Sequence, residues 1–131
     1  YAMILNVCMT DKIHNEMVFN GQAQIVPINN GYCIHMNGNT DLKWKIYSKG
    51  MIIENESDYR VVLTLKENSG TKGHIETEFG KIGLKCETSL YRINKNSIEI
   101  KYKLIQETDV QLFHFVLTNK EDVSWKALMF N

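Results

Sequence analysis

The fold of this chain is decided by 97-SIEIKYKL-104, a stretch in which every second residue is apolar. Ile98, Ile100 and Tyr102 alternate with charged residues that stand between them. Because successive side chains of a β-strand point to opposite faces of a sheet, this pattern indicates a strand with one buried and one solvated face. An amphipathic helix would instead repeat its apolar residues every three or four positions.

The same period of two recurs on both sides of this stretch. Turn-forming residues separate the alternating segments, for example at 29–31, 37–39 and 94–96, where Asn and Gly tolerate positive φ. The predicted strands are 3–10, 16–26, 32–37, 42–47, 50–55, 58–66, 73–78, 81–92, 97–105 and 110–118. The segment 123–130 fits either an eleventh strand or a short helix.

The strands are too numerous and too short to form anything but a closed or double sheet. No window of ten or more residues has a clear helical period, which excludes βαβ units. Open sheet edges aggregate, and consecutive hairpins close most simply into a barrel. We therefore predict an all-β fold, with one domain over 1–131 that forms a single antiparallel up-and-down barrel of about 8–10 strands. A barrel of this size is about where side chains stop filling the whole interior.

Charge and cysteine content narrow the classes of function. Lys+Arg and Asp+Glu are 15 each, and no basic stripe is visible, so no nucleic-acid partner is predicted. The apolar runs are far shorter than a membrane span, so no membrane partner is predicted. Cys8, Cys33 and Cys86 form an odd set without C-x-x-C spacing, which favours a reducing compartment and a cytoplasmic location.

Motifs for catalysis are missing from the sequence. G-x-S-x-G, P-loop and H-E-x-x-H patterns do not occur, and the four histidines are scattered singly. We therefore predict no catalytic residue, no metal site and no cofactor. If the protein were an enzyme, the candidates would be Arg60, His114 and Tyr102, which would then have to lie within about 10 Å of one another.

The interior of the predicted barrel is the candidate binding site. Aromatic residues at inward positions, with two cationic or titratable neighbours, would supply the contacts to a ligand. These candidates are Phe19, Tyr32, Trp44, Tyr59, Arg60, Tyr102 and His114. A carrier of this kind needs an internal cavity of at least roughly 300 Å³.

Two of these candidates have a structural alternative. A guanidinium could bind an anionic headgroup through its bidentate fork, but strict alternation along 58–66 places Arg60 on the outer face. His114 lies in 110-VQLFHFVL-117, a strand that is apolar on nearly both faces. A histidine in such a strand is more often a hydrogen-bonded neighbour of the core than a ligand contact.

The strand 110–118 also predicts a partner. Phe113 and Phe115 share one face, whereas Leu112 and Val116 lie on the other. A strand that is apolar on both faces can be buried inside the barrel and covered outside by a second subunit. A homodimer through this outer face, with help from 123–130, is therefore one hypothesis.

A resemblance to a known family is carried by 77-TEFGKIGLKCET-88, preceded by Gly73 and followed by the strand 98–102. This stretch resembles the YwiB-like family of uncharacterised bacterial proteins, mainly of Firmicutes. The family mark is a strand that ends in Phe-Gly, then alternating apolar residues, then Thr. The matching positions are Phe79, Gly80, Ile82, Leu84 and Thr88, whereas Ile75 stands where the family usually has an aromatic residue.

The resemblance implies a calycin-type, lipocalin-like barrel and carries over no catalytic residue. Fatty-acid-binding proteins of that superfamily insert two helices after the first strand, and the segment 10–16 leaves no room for them. Within the shared motif, Gly80 is expected to supply a bend or a positive φ, and Phe79 to pack over that corner.

The leading hypothesis is a non-enzymatic cytoplasmic barrel that binds a small apolar or amphipathic molecule in its interior. The alternative hypothesis is a protein-interaction or homodimerising scaffold module with a filled barrel and no ligand.

Overall fold

The computed structural model describes residues 2–130, and ten antiparallel strands within them form one closed barrel. The strands are β1 (Met3–Asp11), β2 (Glu16–Ile28), β3 (Gly31–Asn37), β4 (Asp41–Ile46), β5 (Gly50–Glu56), β6 (Arg60–Lys66), β7 (Gly70–Thr77), β8 (Gly80–Ile93), β9 (Ser97–Gln106) and β10 (Asp109–Asn119). Each strand pairs with its neighbour in sequence, and β1 pairs with β10 to close the barrel. The predicted all-β antiparallel barrel is confirmed.

The segment 123–130 is not an eleventh strand. Its last four described residues, Ala127–Phe130, form one turn of 3₁₀ helix instead. Within residues 2–130 no helix is long and apolar enough to cross a membrane.

Up-and-down connectivity places alternate turns at opposite ends of the barrel. The open end carries the hairpins 11–16, 37–41, 56–60, 77–80 and 106–109. The closed end carries the turns 28–31, 46–50, 66–70 and 93–97, together with the segment 119–130 that follows β10.

The closed end is filled by aromatic side chains. Trp125 is fully buried and stacks on Tyr32 with ring centroids 6.0 Å apart. The Tyr32 hydroxyl donates a hydrogen bond of 2.8 Å to the carbonyl oxygen of Trp125, whose own backbone N–H donates to the carbonyl of Lys95 at 2.8 Å. The segment after β10 is therefore a plug that is held by packing and by hydrogen bonds at two points.

Two more buried polar groups around the plug are paired, whereas the indole Nε1 of Trp125 is buried without a hydrogen-bond partner among the described residues. The Tyr91 hydroxyl donates to the carbonyl of Tyr47 at 2.6 Å, and the Asn119 side chain donates to the carbonyl of Val123 at 2.7 Å. Burial raises the pKa of both Tyr32 and Tyr91, so both hydroxyls stay protonated and can donate.

A glycine permits close approach of two strands at this end. A Cβ on Gly31 would lie 2.0 Å from the carbonyl oxygen of Ile46, which is an impossible contact. The pairing of Tyr32 with Ile46 in the β3–β4 ladder therefore depends on a residue without a side chain just before it.

The Phe-Gly corner differs from expectation in one respect. Gly80 has a φ of 127°, so the expected positive φ is confirmed. Phe79 does not pack over the corner, since its side chain is 92% exposed. The reason is that the β7–β8 hairpin extends beyond the end of β9, so its tip lies away from the rest of the barrel.

Candidate functional site

The open half of the barrel contains a cavity of about 470 Å³. Its walls are apolar side chains contributed by nine of the ten strands. They are Met9, Val18, Leu42, Trp44, Ile53, Val61, Leu63, Ile75, Leu84, Tyr102, Leu104, Phe113 and Phe115. Most of these residues point inward because they share the alternation phase of the buried core residues on the same strands.

One wall of the cavity is a cluster of three aromatic rings on neighbouring strands. Tyr102 of β9 stacks on Phe113 of β10 with centroids 5.1 Å apart, because these two residues are direct partners in the ladder. Phe115 lies 6.2 Å from Phe113 and 6.5 Å from Tyr102. Burial raises the pKa of the Tyr102 hydroxyl, so this wall is uncharged at neutral pH.

Five polar residues complete the lining, and they lie towards the open end. They are Asp11, Thr40, Asn55, Gln106 and Gln111. Asn55 is the most informative of them, because its Oδ1 is buried and has no hydrogen-bond partner among the described residues. A buried polar oxygen without a partner costs free energy, so a ligand that donates a hydrogen bond to Asn55 would recover it.

Asp11 is the single charged residue of the described cavity lining. Its Oδ1 accepts a hydrogen bond of 2.9 Å from the backbone N–H of Ile13, and its Oδ2 lies 2.8 Å from His14 Nδ1. The hydrogen bond with His14 lowers the pKa of Asp11, which keeps its carboxyl group ionised.

A notch in the barrel wall adjoins the cavity. β8 begins at Gly80 on the β7 side, but it pairs with β9 only from Lys85 onward. The groove beside residues 81–84 shares Leu84 and Gln106 with the cavity lining. This gap in the ladder, together with the open end, gives the cavity two sides facing solvent.

The structure brings only two of the seven predicted ligand contacts into the cavity wall. Trp44 and Tyr102 line it. Phe19 packs against the core beside Gly21 and Gly38, outside the described lining. Tyr32 points inward as predicted, but it lies at the closed end under Trp125.

The prediction that Tyr59 points into the barrel is wrong. Tyr59 lies in the β5–β6 hairpin just before β6 begins, and its side chain is 56% exposed. Alternation predicts the correct faces for the residues of β6. This strand begins only at Arg60, however, so Tyr59 lies in the preceding turn.

Arg60 and His114 lie on the outer face of the barrel, so neither reaches the cavity. Arg60 Nη2 donates to Glu54 Oε1 at 2.7 Å and Nη1 donates to Glu76, with Lys45 joining Glu54 from β4. His114 Nε2 lies 2.6 Å from Glu99 Oε2 on β9. Both side chains are therefore engaged by carboxylates outside the barrel. Alternation predicts the outer face for Arg60, whereas for His114 the sequence indicates only a hydrogen-bonded neighbour of the core.

The three residues considered for catalysis are not brought together. Tyr102 faces the interior, whereas Arg60 and His114 face outward from β6 and β10. Among residues 2–130 no group of three His, Cys, Asp or Glu side chains is placed to hold a metal ion.

Sequence reasoning did not place Phe113, Phe115 or Leu104 among the ligand contacts, although all three line the cavity. It did not single out Asn55 either. The available signal was phase, because Asn55 follows Met51 and Ile53 at intervals of two on β5. A polar residue at an inward position near a strand end marks the place where the core gives way to a cavity.

Comparison with known proteins supports the fold. No family model matches the chain, and no curated protein matches it. The crystal structure of the ywiB protein from Bacillus subtilis is similar, with a TM-score of 0.57 and 10% sequence identity. The similarity covers 92% of this chain and 91% of that one. The chain therefore has a YwiB-like β-barrel fold.

Proposed function

We propose that this protein binds a small apolar or amphipathic molecule in the cavity of the open half of the barrel. The observation that carries the proposal is the cavity itself. Its volume of about 470 Å³ falls within the range of roughly 300–1,000 Å³ that is typical of small-molecule sites. Its lining combines apolar walls with a few polar groups at one side, which is the usual composition of such sites.

The cavity is open to solvent at the rim and at the notch, but its walls are inward side chains of the barrel and not surface groups. The same barrel is filled at its other end by Trp125 and Tyr32. The chain can therefore fill its interior where a plug is supplied, and the open half lacks such a plug among the described residues.

Binding without catalysis is the activity that the lining supports. Of the described residues that line the cavity, only Asp11 and Tyr102 titrate. The Asp11 carboxylate already accepts hydrogen bonds from its own turn, and the pKa of Tyr102 is raised by burial. Neither is poised to abstract a proton near neutral pH.

The test uses Nile red, an uncharged dye that fluoresces in apolar surroundings. Val61→Trp would fill the cavity, since Val61 lines it, whereas Val62→Trp adds the same group on the outer face of β6. We expect the wild-type protein and the Val62→Trp variant to bind the dye, and the Val61→Trp variant to lose at least about 90% of the signal. Equal binding by both variants would place the dye outside the barrel and contradict the proposal.

A homodimer through β10 is the second candidate function, and it does not require the cavity. Val110 and Leu112 lie on the outer face of β10 and are 58% and 42% exposed. We propose that a second copy of the chain covers them. Light scattering after size-exclusion chromatography should then show a dimer that Leu112→Lys converts to a monomer, and a wild-type monomer at high concentration would refute the idea.

We also infer a calycin-type barrel and a cytoplasmic location. The closed up-and-down topology, with a cavity in the open half of the barrel, supports the first inference. The second is supported by Cys8, Cys33 and Cys86, all of which are unpaired.

A further inference from the structure

The two ends of the barrel carry opposite charge, although the chain as a whole is neutral. The five hairpins of the open end contain eight carboxylates and two cationic side chains, Lys12 and Arg60. The eight carboxylates are Asp11, Glu16, Asp41, Glu56, Asp58, Glu78, Glu107 and Asp109. Arg60 is already neutralised by Glu54 and Glu76 on the outer face.

The closed end has the opposite balance. Its turns and its plug carry five lysines and three carboxylates. A charged molecule that approaches the opening of the cavity therefore meets an excess of carboxylates, and their effect adds over several side chains.

Cationic side chains within residues 2–130 do not line the cavity, although Lys12 and Arg60 lie in the hairpins around it and Lys72 and Lys85 line the adjoining notch. The charged group that does line the cavity is the Asp11 carboxylate. An anionic headgroup would find no ion pair there and would have to give up its hydration beside a like charge. A fatty-acid anion is thus a poor match for this site.

The inner wall suits a cation with an apolar body. The rings of Trp44, Tyr102, Phe113 and Phe115 line the cavity, and aromatic faces attract organic cations through their quadrupoles. Exposed Gln106 and Gln111 add neutral amide acceptors at the rim.

We infer that the molecule bound in the cavity is an amphipathic organic cation, with its apolar part against the aromatic wall and its charge at the carboxylate-rich rim. This inference rests on the proposed binding function and adds the charge of the ligand to it. The cavity is the site, and the rim carboxylates select what enters it.

The size of the effect follows from distance and salt. One carboxylate about 10 Å from the ligand charge changes affinity by about twofold in water of low ionic strength. Several such groups act together, and salt near 0.1 M screens charges beyond about 10 Å. We expect a cation to bind at least about tenfold more tightly than an anion of the same chain length in about 20 mM salt, and the ratio to fall at high salt.

The experiment compares three compounds with one decyl chain below their micelle concentrations: decyltrimethylammonium, decanol and decanoate. Calorimetric titration at pH 8 should give affinities in that order. Equal affinities, or tightest binding of decanoate, would overturn the charge selection and leave the binding function standing. If none of the three binds, and Nile red does not bind, both proposals fail.

A pair of matched variants separates the rim from the rest of the surface. Glu107→Gln with Asp109→Asn removes two exposed rim charges, and Glu67→Gln with Asp122→Asn removes two exposed charges at the closed end. The first pair should weaken decyltrimethylammonium binding about threefold without changing decanol binding, and the second should change neither. Equal effects of the two pairs would show that overall charge, and not the rim, decides the affinity.

Discussion

The two ends of this barrel are built from the same strands and yet differ in how their interiors are packed and in the charge of their turns. At the closed end, Trp125 fills the interior and stacks on Tyr32, and the Tyr32 hydroxyl is hydrogen-bonded, although the Trp125 Nε1 has no partner among the described residues. At the open end, Trp44 and Tyr102 line an empty space, and the Asn55 Oδ1 has no partner among the described residues. The comparison distinguishes residues that stabilise the barrel from residues that can contact a ligand.

The difference arises from a single segment and not from the strands. Inward residues at both ends are large and apolar, so alternation alone would make the two halves alike. Among the described residues, only the closed end receives a side chain from outside the strands, namely Trp125 of the plug after β10. A ten-stranded barrel is too wide to be filled by its own wall side chains, so the end without a plug keeps a cavity.

The largest effect should come from removing the plug. We expect Trp125→Ala to lower the free energy of unfolding by about 4 kcal/mol, because a fully buried aromatic ring is lost and a cavity replaces it. Urea unfolding monitored by circular dichroism measures this change. If Trp125→Ala lowers the free energy of unfolding by less than about 1 kcal/mol, the plug does not stabilise the closed end, and the proposed difference between the two ends is wrong.

Two leucines give a matched test of packing. Leu117 is fully buried in the closed half, whereas Leu104 is half-buried on the cavity wall. Leu117→Ala should cost about 3 kcal/mol, and Leu104→Ala should cost about 1 kcal/mol because fewer contacts are lost beside an existing void. Equal costs in chemical denaturation would indicate that the open half is packed as tightly as the closed half.

Two tyrosine hydroxyls test the contrast in hydrogen bonding. Tyr32→Phe removes the donor to the Trp125 carbonyl and should cost about 1 kcal/mol. Tyr102→Phe should be nearly neutral, since the pKa of Tyr102 is raised chiefly by burial and no hydrogen bond contributes to it. Thermal unfolding of both variants measures these costs. A larger loss of stability for Tyr102→Phe than for Tyr32→Phe would contradict the structural role of the Tyr32 hydroxyl.

The smallest effect concerns pH at the open rim. The hydrogen bond with Asp11 raises the pKa of His14 above its ordinary value of 6.5, and the same bond lowers the pKa of Asp11 below 3.8. The His14 contribution to stability is therefore present below about pH 6.5 and is lost as pH rises through the folded-state pKa. The Asp11 contribution is present above about pH 4 and is lost as pH falls through its lowered pKa.

An NMR titration of the histidine ring protons checks this coupling. His14 should titrate above 6.5 in the wild-type protein, and Asp11→Asn should return it to its ordinary value. A His14 titration that does not respond to Asp11→Asn would show that the turn is not held by this pair.

The sequence was sufficient to predict the strands and the face on which each side chain lies, because every second residue of a half-buried strand is apolar. For this reason alternation predicts the outward position of Arg60 as an alternative to ligand binding, whereas His114, in a strand that is apolar on nearly both faces, is assigned to neither face. The sequence was not sufficient to predict how far along the barrel axis, between the closed and the open end, each inward residue lies. Tyr32 and Trp44 have the same inward phase, yet one lies under the plug and the other faces the cavity.

This position along the axis could not be predicted because it depends on contacts that are remote in sequence. The position of the plug is set by Trp125 reaching Tyr32, and this contact is invisible to any local pattern. The exposure of Phe79 has a similar cause, since it follows from β8 extending past the end of β9. Strand lengths and overhangs are fixed by the whole ladder and not by the residues at the overhang.

The pairing of β1 with β10 has a consequence for how the chain folds. Every other strand pair joins neighbours in sequence and can form as a local hairpin, whereas Val7 must find Asn119 across nearly the whole chain. The entropy of closing so large a loop delays this pairing. The pairing of β1 with β10 therefore cannot form until β10 has been synthesised. Until then the growing sheet exposes β1 as an unpaired edge that can pair with other chains.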